Sequence, residues 1–420
     1  MDREIVIERL AALRRWMGEN GVRAFVVRNV SNIAWLTGFE GVFDEEKAHT
    51  MVVTADDVSL LTDVRYVTAI RNQAVRLGNL IKINGEGGSM SAFVKNKVAV
   101  PMARIAADDE ALDEAAREAA EAQAKAAAAA LAAKPFAVED DITLAEYRAL
   151  EKIVEDGAPA PAETNQVIRG LRAVKTEAEL AIMRRAQEIT DAAFEHMKEY
   201  VKPGMTEMDV RIELEDFMMW SGAESVAFAS IVAAGPNSAK PHAVPGQAKL
   251  MAGQVLLMDF GAKFRGYRSD MTRCLFLGQP LPAVKHLFGV VREANEAVEA
   301  MLKPGVTGAE AQALAEQIIA KGGYAGMMGH GLGHGVGIDI HEEPFLNSRN
   351  QQPLVAGNVV TVEPGIYLPE GRKNRINIPM TGMTEVMLVP PMGIRLEDCG
   401  VITEDGFDVF TQSTHELVVI

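Results

Sequence analysis

Leu256-Leu257-Met258-Asp259-Phe260-Gly261-Ala262, followed closely by Gly266-Tyr267-Arg268-Ser269-Asp270-Met271-Thr272-Arg273, is the stretch from which the architecture of the C-terminal half can be read. The apolar run ending at Asp259 predicts a buried strand, Gly266 a hairpin turn, and Tyr267–Leu277 the returning strand. Such a hairpin brings Asp259 and Asp270 to one face. Two carboxylates held that close repel each other unless a cation lies between them or they share a proton. An acid inside an otherwise apolar strand is costly without a partner.

Working outward, the pattern recurs. Val359-Val360-Thr361-Val362-Glu363-Pro364-Gly365 and Gly393-Ile394-Arg395-Leu396-Glu397-Asp398 are further apolar strands that carry acids. Between them and the hairpin lies His330-Gly331-Leu332-Gly333-His334-Gly335-Val336-Gly337, where glycine allows close backbone approach. Asp259, Asp270, His334, Glu363 and Glu397 thus make a ligand set for two divalent metal ions. Carboxylate oxygen with one imidazole suits Mn, Co, Zn or Fe better than a thiolate site would. Each residue taken singly has a plainer reading, as a surface or capping carboxylate or a hydrogen-bonded histidine. Five of them in apolar surroundings outweigh it.

An internal repeat supports the convergence. Val201-Lys202-Pro203-Gly204-Met205-Thr206 returns as Leu302-Lys303-Pro304-Gly305-Val306-Thr307, each copy followed by an amphipathic helix and a turn, Ser221-Gly222 or Gly322-Gly323. Strands with polar residues come next: His242, Asp259 and Asp270 in the first copy, His330, His334, His341 and Glu363 in the second. Two related halves would bring these residues to a shared seam. Ahead of the repeat, Leu180, Ile182, Met183, Ala186, Ile189, Ala193 and Phe194 recur at helical spacing over Thr176–Tyr200.

The chain divides near Leu171. Before that point a helix over Arg3–Gly18, strands over Ala24–Val30, Met51–Val53 and Val58–Leu61, and a helix over Tyr66–Arg76 predict a small α/β domain. The Ala- and Glu-rich stretch from Asp108 to Lys134 predicts a solvated surface helix, capped by Asp108 or Asp109 and stopped by Pro135.

With 420 residues there is room for two domains with sizeable cores. A net charge of -16 argues against nucleic acid or an anionic membrane as partner. Cys274 and Cys399 cannot build a disulfide framework, which fits a reducing compartment. The first residues mix charges at helical spacing and do not read as a signal peptide. No window has the apolar length of a membrane span. A cytoplasmic protein is expected.

Together these residues resemble the dinuclear metal site of the pita-bread metallopeptidases, family M24, which includes methionine aminopeptidase, Xaa-Pro aminopeptidase, prolidase and creatinase. Ala239-Lys240-Pro241-His242, His330-Gly331-Leu332-Gly333-His334, Ile340-His341-Glu342 and Val362-Glu363-Pro364-Gly365-Ile366-Tyr367 are similar to motifs of the Xaa-Pro branch. So are Asn32-Ile33-Ala34-Trp35-Leu36-Thr37-Gly38-Phe39 and Leu60-Leu61-Thr62-Asp63-Val64-Arg65-Tyr66, so that nearly the whole chain is covered. The resemblance implies an α+β fold. A creatinase/prolidase-like α/β domain over 1–168 would precede a catalytic pita-bread domain over 169–420, in which helices flank a curved antiparallel sheet with a pseudo-two-fold repeat.

For the site, the resemblance implies two divalent ions, Mn foremost with Co or Zn as alternatives. Asp270 and Glu397 would bridge them, Asp259 would bind one, and His334 with Glu363 the other. A water between two cations loses its proton near neutral pH. His242 and His341 would donate to the developing oxyanion, and Glu363 would carry a proton to the leaving nitrogen. Substrate contacts would come from His242, His330, His341, Tyr367 and Arg395. His330 is read either as a wall of the proline pocket or as a loop-ordering donor. Arg395, on the same strand face as Glu397, either meets a substrate carboxylate or balances the acids. Tyr367 either lines the cavity or packs behind it. Trp35, Asp63 and Arg65 belong to a domain that caps the site in the family, often the site of a neighbouring subunit.

One segment departs from the family pattern. Glu370–Pro391 stands where a short turn is usual and contains Arg372, Lys373, Arg375, Met380, Met383 and Met387. It predicts a lengthened hairpin of adaptable packing, whose basic residues either select an acidic group or are simply solvated. The expected activity is metal-dependent hydrolysis of the bond between an N-terminal residue and proline by a homodimeric Xaa-Pro aminopeptidase. Its substrate is a peptide with proline at the second position, with no nucleic acid or membrane partner. Xaa-Pro dipeptidase (prolidase) is the alternative; a non-peptidase metal lyase and a non-catalytic binding protein are more remote ones.

Overall fold

A computed structural model describes residues 2–44, 46–85, 87–99, 114–154, 156–371, 374–380 and 383–420, and the chain splits into two units, Met1–Leu171 and Arg172–Ile420.

The first unit is built on a six-stranded mixed sheet in the order Lys82–Asn84, Val58–Leu61, Thr50–Thr54, Ala24–Val27, Phe136–Val138, Ala162–Glu163. Its core joins Ala24, Val26, Val52, Phe136 and Val138 to Phe93, Val94 and Leu150 from helices. The first strand is shorter than its apolar run predicts. It ends at Val27, and helix Val30–Thr37 begins after two intervening residues. The cause is distant in sequence: the buried Glu139 carboxylate accepts from the backbone N–H groups of Arg28 and Asn29, pulling them out of the ladder. The Asn29 side chain then caps the helix by accepting from Asn32 N. The Ala-rich helix runs over Glu114–Ala132; its expected caps, Asp108 and Asp109, lie outside the described residues. Trp35 is buried beneath the Arg9 guanidinium, and Asp63 pairs with Arg65 at the surface.

In the second unit the Lys-Pro-Gly repeat is structural. Long helices Glu177–Tyr200 and Pro282–Met301 each lead through it into a helix of 14 residues, Glu207–Trp220 or Gly308–Lys321. Thr206 and Thr307 close capping boxes with Asp209 and Glu310. Gly204 and Gly305 turn with φ of 95° and 94°, a conformation open chiefly to glycine. Their N–H groups donate to Leu250 O and Leu354 O. Thr206 bridges Lys249 as Thr307 bridges Pro353. The chain therefore builds the same motif twice.

Strand Val255–Phe260 pairs antiparallel with Met271–Phe276, placing Asp259 opposite Thr272. Alternation sorts the two faces. Leu256, Met258, Phe260, Met271 and Leu275 pack with the first helix pair, whereas Val255, Leu257, Cys274 and Phe276 join the core of the second. Asp259, Asp270 and Thr272 fall on the second face, at the seam between the halves. The returning strand is not continuous over Tyr267–Leu277. It breaks at Ser269–Asp270, where the lack of a Cβ on Gly261 lets the backbone come in closely: a Cβ there would lie 2.0 Å from Ser269 O. A five-stranded sheet containing Gly333–Gly335, Val359–Val362 and Asp398–Ile402 carries the other half of the seam.

The Glu370–Pro391 segment forms the expected hairpin, Asn374–Met380 against Met383–Val389. Ile376 and Val389 enter the core that contains helix Pro282–Met301, while Val386 and Leu388 face outward.

Candidate metal centre

All five predicted ligands line a single cavity of about 870 Å³, together with His242, His330, His341 and Arg395. The backbone explains why. Asp270, Glu363 and Glu397 each sit where a strand breaks: before Met271–Phe276, after Val359–Val362, and between Met392–Arg395 and Asp398–Ile402. At such breaks the peptide groups find cross-sheet partners, Glu397 N donating to Thr272 O and Glu363 N to Leu332 O, and the side chains turn into the seam.

Ligand atoms of Asp270, His334 and Glu397 lie within 4.8 Å of one another. His334 Nε2 is 3.6 Å from Asp270 Oδ2 and 3.5 Å from Glu363 Oε1. The tautomer is fixed from behind: Nδ1 contacts Gly335 O at 3.0 Å. A carbonyl only accepts, so Nδ1 carries the proton and the Nε2 lone pair faces the acids. Thr272 Oγ1 donates to Glu397 Oε2 at 2.6 Å and accepts from Arg395 Nε at 2.9 Å.

Around the candidate ligands, the carboxylates of Asp259, Asp270, Glu363 and Glu397 are gathered with the Arg395 guanidinium, which bonds Asp259. Burial, and then the charge of Glu397, pushes the Asp270 carboxyl well above its ordinary value; burial and the Glu363 charge do the same to Glu397. Burial also raises Asp259, against the Arg395 charge, and takes Glu363 up to about 8. Burial and the neighbouring His341 lower the His334 imidazole to about 4, keeping it neutral and able to coordinate. Asp259 Oδ1 and Asp270 Oδ1 are buried without a hydrogen-bond partner. A buried, under-compensated set of hard oxygen donors with one neutral imidazole fits divalent cations.

Arg395 spends its donors inside the site, on Asp259 Oδ2 at 2.5 Å, Tyr367 Oη at 2.7 Å and Thr272. Of its two readings, this geometry matches the balancing of the acids. Tyr367 is not on the cavity wall; its hydroxyl accepts from Arg395 and contacts His330 Nε2 at 3.1 Å. His330 Nδ1 donates to Gly331 O at 2.7 Å, and burial lowers its imidazole to about 4, so Nε2 must be the acceptor. His330 is therefore both a wall of the cavity and a loop-ordering donor. His242 and His341 are exposed to the cavity, and the His341 ring stands edge-on to His334 with centroids 4.4 Å apart. Burial, with His242 nearby, lowers the His341 imidazole, favouring its neutral form.

Several residues that the sequence did not single out also shape the site. Thr272 was detectable, being two residues from Asp270 and so on its face. Phe228 and the exposed Arg349 line the cavity from loops that carry no periodic signal, and Phe345 lines it from strand Glu342–Leu346. Among the described residues, none from Glu370–Pro391 lines it.

Comparison with known proteins agrees with this geometry. The description "Metallopeptidase family M24" matches residues 181–404, and "Creatinase/Prolidase N-terminal domain" matches residues 9–174. The chain is 32% identical to the uncharacterized peptidase YqhT of Bacillus subtilis, over 98% of this chain and 100% of that one. Among solved structures it is similar to the Xaa-Pro dipeptidase from Bacillus anthracis, with 30% identity, a TM-score of 0.80, and 99% and 100% of the two chains covered. It is also similar to the X-Pro aminopeptidase from Thermotoga maritima MSB8, with 27% identity, a TM-score of 0.76, and 98% and 99% covered.

Proposed function

The chain belongs to metallopeptidase family M24, with a creatinase-type domain ahead of a pita-bread catalytic domain, and from that premise we propose that it hydrolyses the bond between an N-terminal residue and a following proline. The observation that carries the reading is the meeting of five candidate ligands with His242, His330 and His341 in one cavity. Residues 169–420 would form the catalytic domain.

Asp259, Asp270, His334, Glu363 and Glu397 would hold two divalent ions, Mn by preference, with Asp270 and Glu397 shared between them. Bound ions supply a Lewis acid for the scissile carbonyl and an acidified water. The residues of the chain do the rest. His341 and His242 offer N–H donors where negative charge develops on the carbonyl oxygen. Glu363 passes a proton to the leaving nitrogen, which is needed because an amide nitrogen departs poorly unless protonated. His330, held by Tyr367 and Gly331, would wall the proline ring. Arg395 keeps Asp259 oriented and offsets part of the acidic charge.

Cleavage after the first residue of longer peptides, the Xaa-Pro aminopeptidase reading, suits a cavity whose rim includes the exposed Val244 and Arg349. The dipeptidase reading has its own support, since the Arg349 guanidinium at that rim could meet the carboxylate of a two-residue substrate. The family resemblance supports a homodimer, and the two buried free cysteines support a reducing, cytoplasmic setting. Among the described residues no helix is long and apolar enough to cross a membrane.

The test is a Mn-loaded assay on an Xaa-Pro dipeptide, an Xaa-Pro-Xaa tripeptide and their Xaa-Ala counterparts, with a chelated control. Chelator-sensitive cleavage restricted to the proline peptides is expected, and peptide length separates the two readings. Cleavage of neither proline peptide would overturn the proposal in favour of a lyase or a binding protein.

A further inference from the structure

We propose that Glu342, clamped by Arg172 and Lys175, is the residue that positions His341 in the cavity. This rests on the reading of His341 as a donor in the peptidase site.

The His341 imidazole makes no hydrogen bond among the described residues; its ring stands edge-on to His334, with His242 and Asp259 near enough to act on its charge. Its place is therefore set by its backbone. That backbone leaves strand Gly333–Gly335, turns, and returns at Glu342, which stands opposite Gly335. The turn is wrapped around the Glu342 carboxylate. Asp339 N donates to Glu342 Oε1 at 2.8 Å. Gly337 lies so close that a Cβ there would be 2.6 Å from Glu342 Oε2. The next residue back along the chain from Glu342 is His341.

The carboxylate is held from its other side by cations of a different segment. Arg172 Nη2 bonds Glu342 Oε1 and also Asp339 Oδ2 at 2.8 Å, and Lys175 Nζ is 3.4 Å from Glu342 Oε2. The side chains of Arg172, Lys175 and Glu342 are only 2%, 1% and 4% exposed. Lys175 is itself anchored through its N–H to Gly357 O at 2.8 Å. Arg268 adds a third cation to this neighbourhood and donates its backbone N–H to Gly337 O. Removing the Glu342 charge would leave three cations facing Asp339, which is partly exposed. A buried ion pair with one partner deleted does not stay in place. Arg172, Lys175 and Glu342 do not line the cavity, so they act on a substrate indirectly, through the turn that carries His341.

Glu342→Gln keeps the shape and an acceptor oxygen but removes the charge. The expected result is a kcat lowered ~10- to 100-fold by a displacement on the order of 1 Å, with KM for the proline peptide and bound metal unchanged. In a His341→Ala background the same substitution should cost nothing further. A multiplicative loss in the double variant, or loss of metal in Glu342→Gln, would overturn the proposal. Lys175→Met, a milder change, should act in the same direction and guards against a folding failure of the first variant. A second readout needs no turnover. His341 is one of eight histidines, and its ring ¹³C resonance, assigned by its loss in His341→Ala, should move in Glu342→Gln while that of His196 stays. An unmoved His341 resonance refutes the positioning role even in an active enzyme. A moved one, in a protein that cleaves no proline peptide, supports the role and places the failure in the assigned reaction.

Discussion

Replacing Thr272 by valine removes one hydroxyl from the centre of the site while keeping the side-chain volume. The residue is fully buried, so the isosteric change leaves no cavity. The hydroxyl makes two contacts, donating to Glu397 at 2.6 Å and accepting from Arg395 at 2.9 Å. A hydrogen bond to a charged partner contributes ~1.5–3 kcal/mol, and tenfold in affinity is ~1.4 kcal/mol. Losing the bond that orients Glu397 should therefore weaken metal binding roughly 10- to 100-fold, the range found for groups that orient metal ligands. Chelator-stripped protein titrated with Mn²⁺ against a fluorescent chelator would measure it, alongside the melting temperature without metal. Unchanged affinity in a variant that melts normally would refute the reasoning, because Glu397 then either binds no ion or does not depend on Thr272.

Three further outcomes are expected. His341→Ala should lower kcat ~10²- to 10⁴-fold, as loss of a donor or proton-transfer group does, with metal content by mass spectrometry unchanged; loss of metal would make His341 a ligand instead. Arg349→Ala should raise KM for an Xaa-Pro dipeptide more than for a tripeptide if the rim arginine meets the terminal carboxylate, and equal KM changes would remove that role. Glu299, mostly buried beside Asp398, has its carboxyl pushed up to about 8 by burial and by the Asp398 charge. The folded state thus holds a proton that the unfolded state releases near the ordinary value of 4.5. Its contribution to stability falls as pH rises from there to about 8. Glu299→Gln should therefore raise the melting temperature relative to wild type at pH 8.5 and change it little at pH 4.5, which calorimetry at both values would check.

What the sequence made legible was whatever depends on short spacing. The Lys-Pro-Gly copies at Lys202 and Lys303 marked two related halves, and the apolar runs around Asp259, Glu363 and Glu397 marked strands whose acids needed a common partner. What it hid depends on contacts between residues far apart in the chain. Strand Ala24–Val27 stops early because Glu139, more than a hundred residues downstream, captures the N–H groups of Arg28 and Asn29. Both hairpin acids read as strand residues from the sequence, yet Asp270 sits at a strand break, where the backbone of Ser269 comes close to Gly261, a contact that the missing Cβ permits. Tyr367 reads from the sequence either as cavity lining or as packing behind it, and nothing local shows that its hydroxyl links Arg395 to His330. The clamp of Arg172 and Lys175 on Glu342 left no trace in local spacing, because its partners lie on separate elements. In the basic insert, Arg372 and Lys373 lie outside the described residues; of the described ones, Ile376 and Val389 pack on the core, Val386 and Leu388 face outward, and none lines the cavity.

The most direct measurement is the number of metal ions held per chain, by calorimetric titration of chelator-stripped protein with Mn²⁺, in wild type, Asp270→Asn and Glu397→Gln. Wild type should take up two ions, and each variant should lose affinity for both together with turnover of the proline peptide. A single ion in wild type, or two ions and near-normal turnover in either variant, would contradict a dinuclear centre built on these five residues.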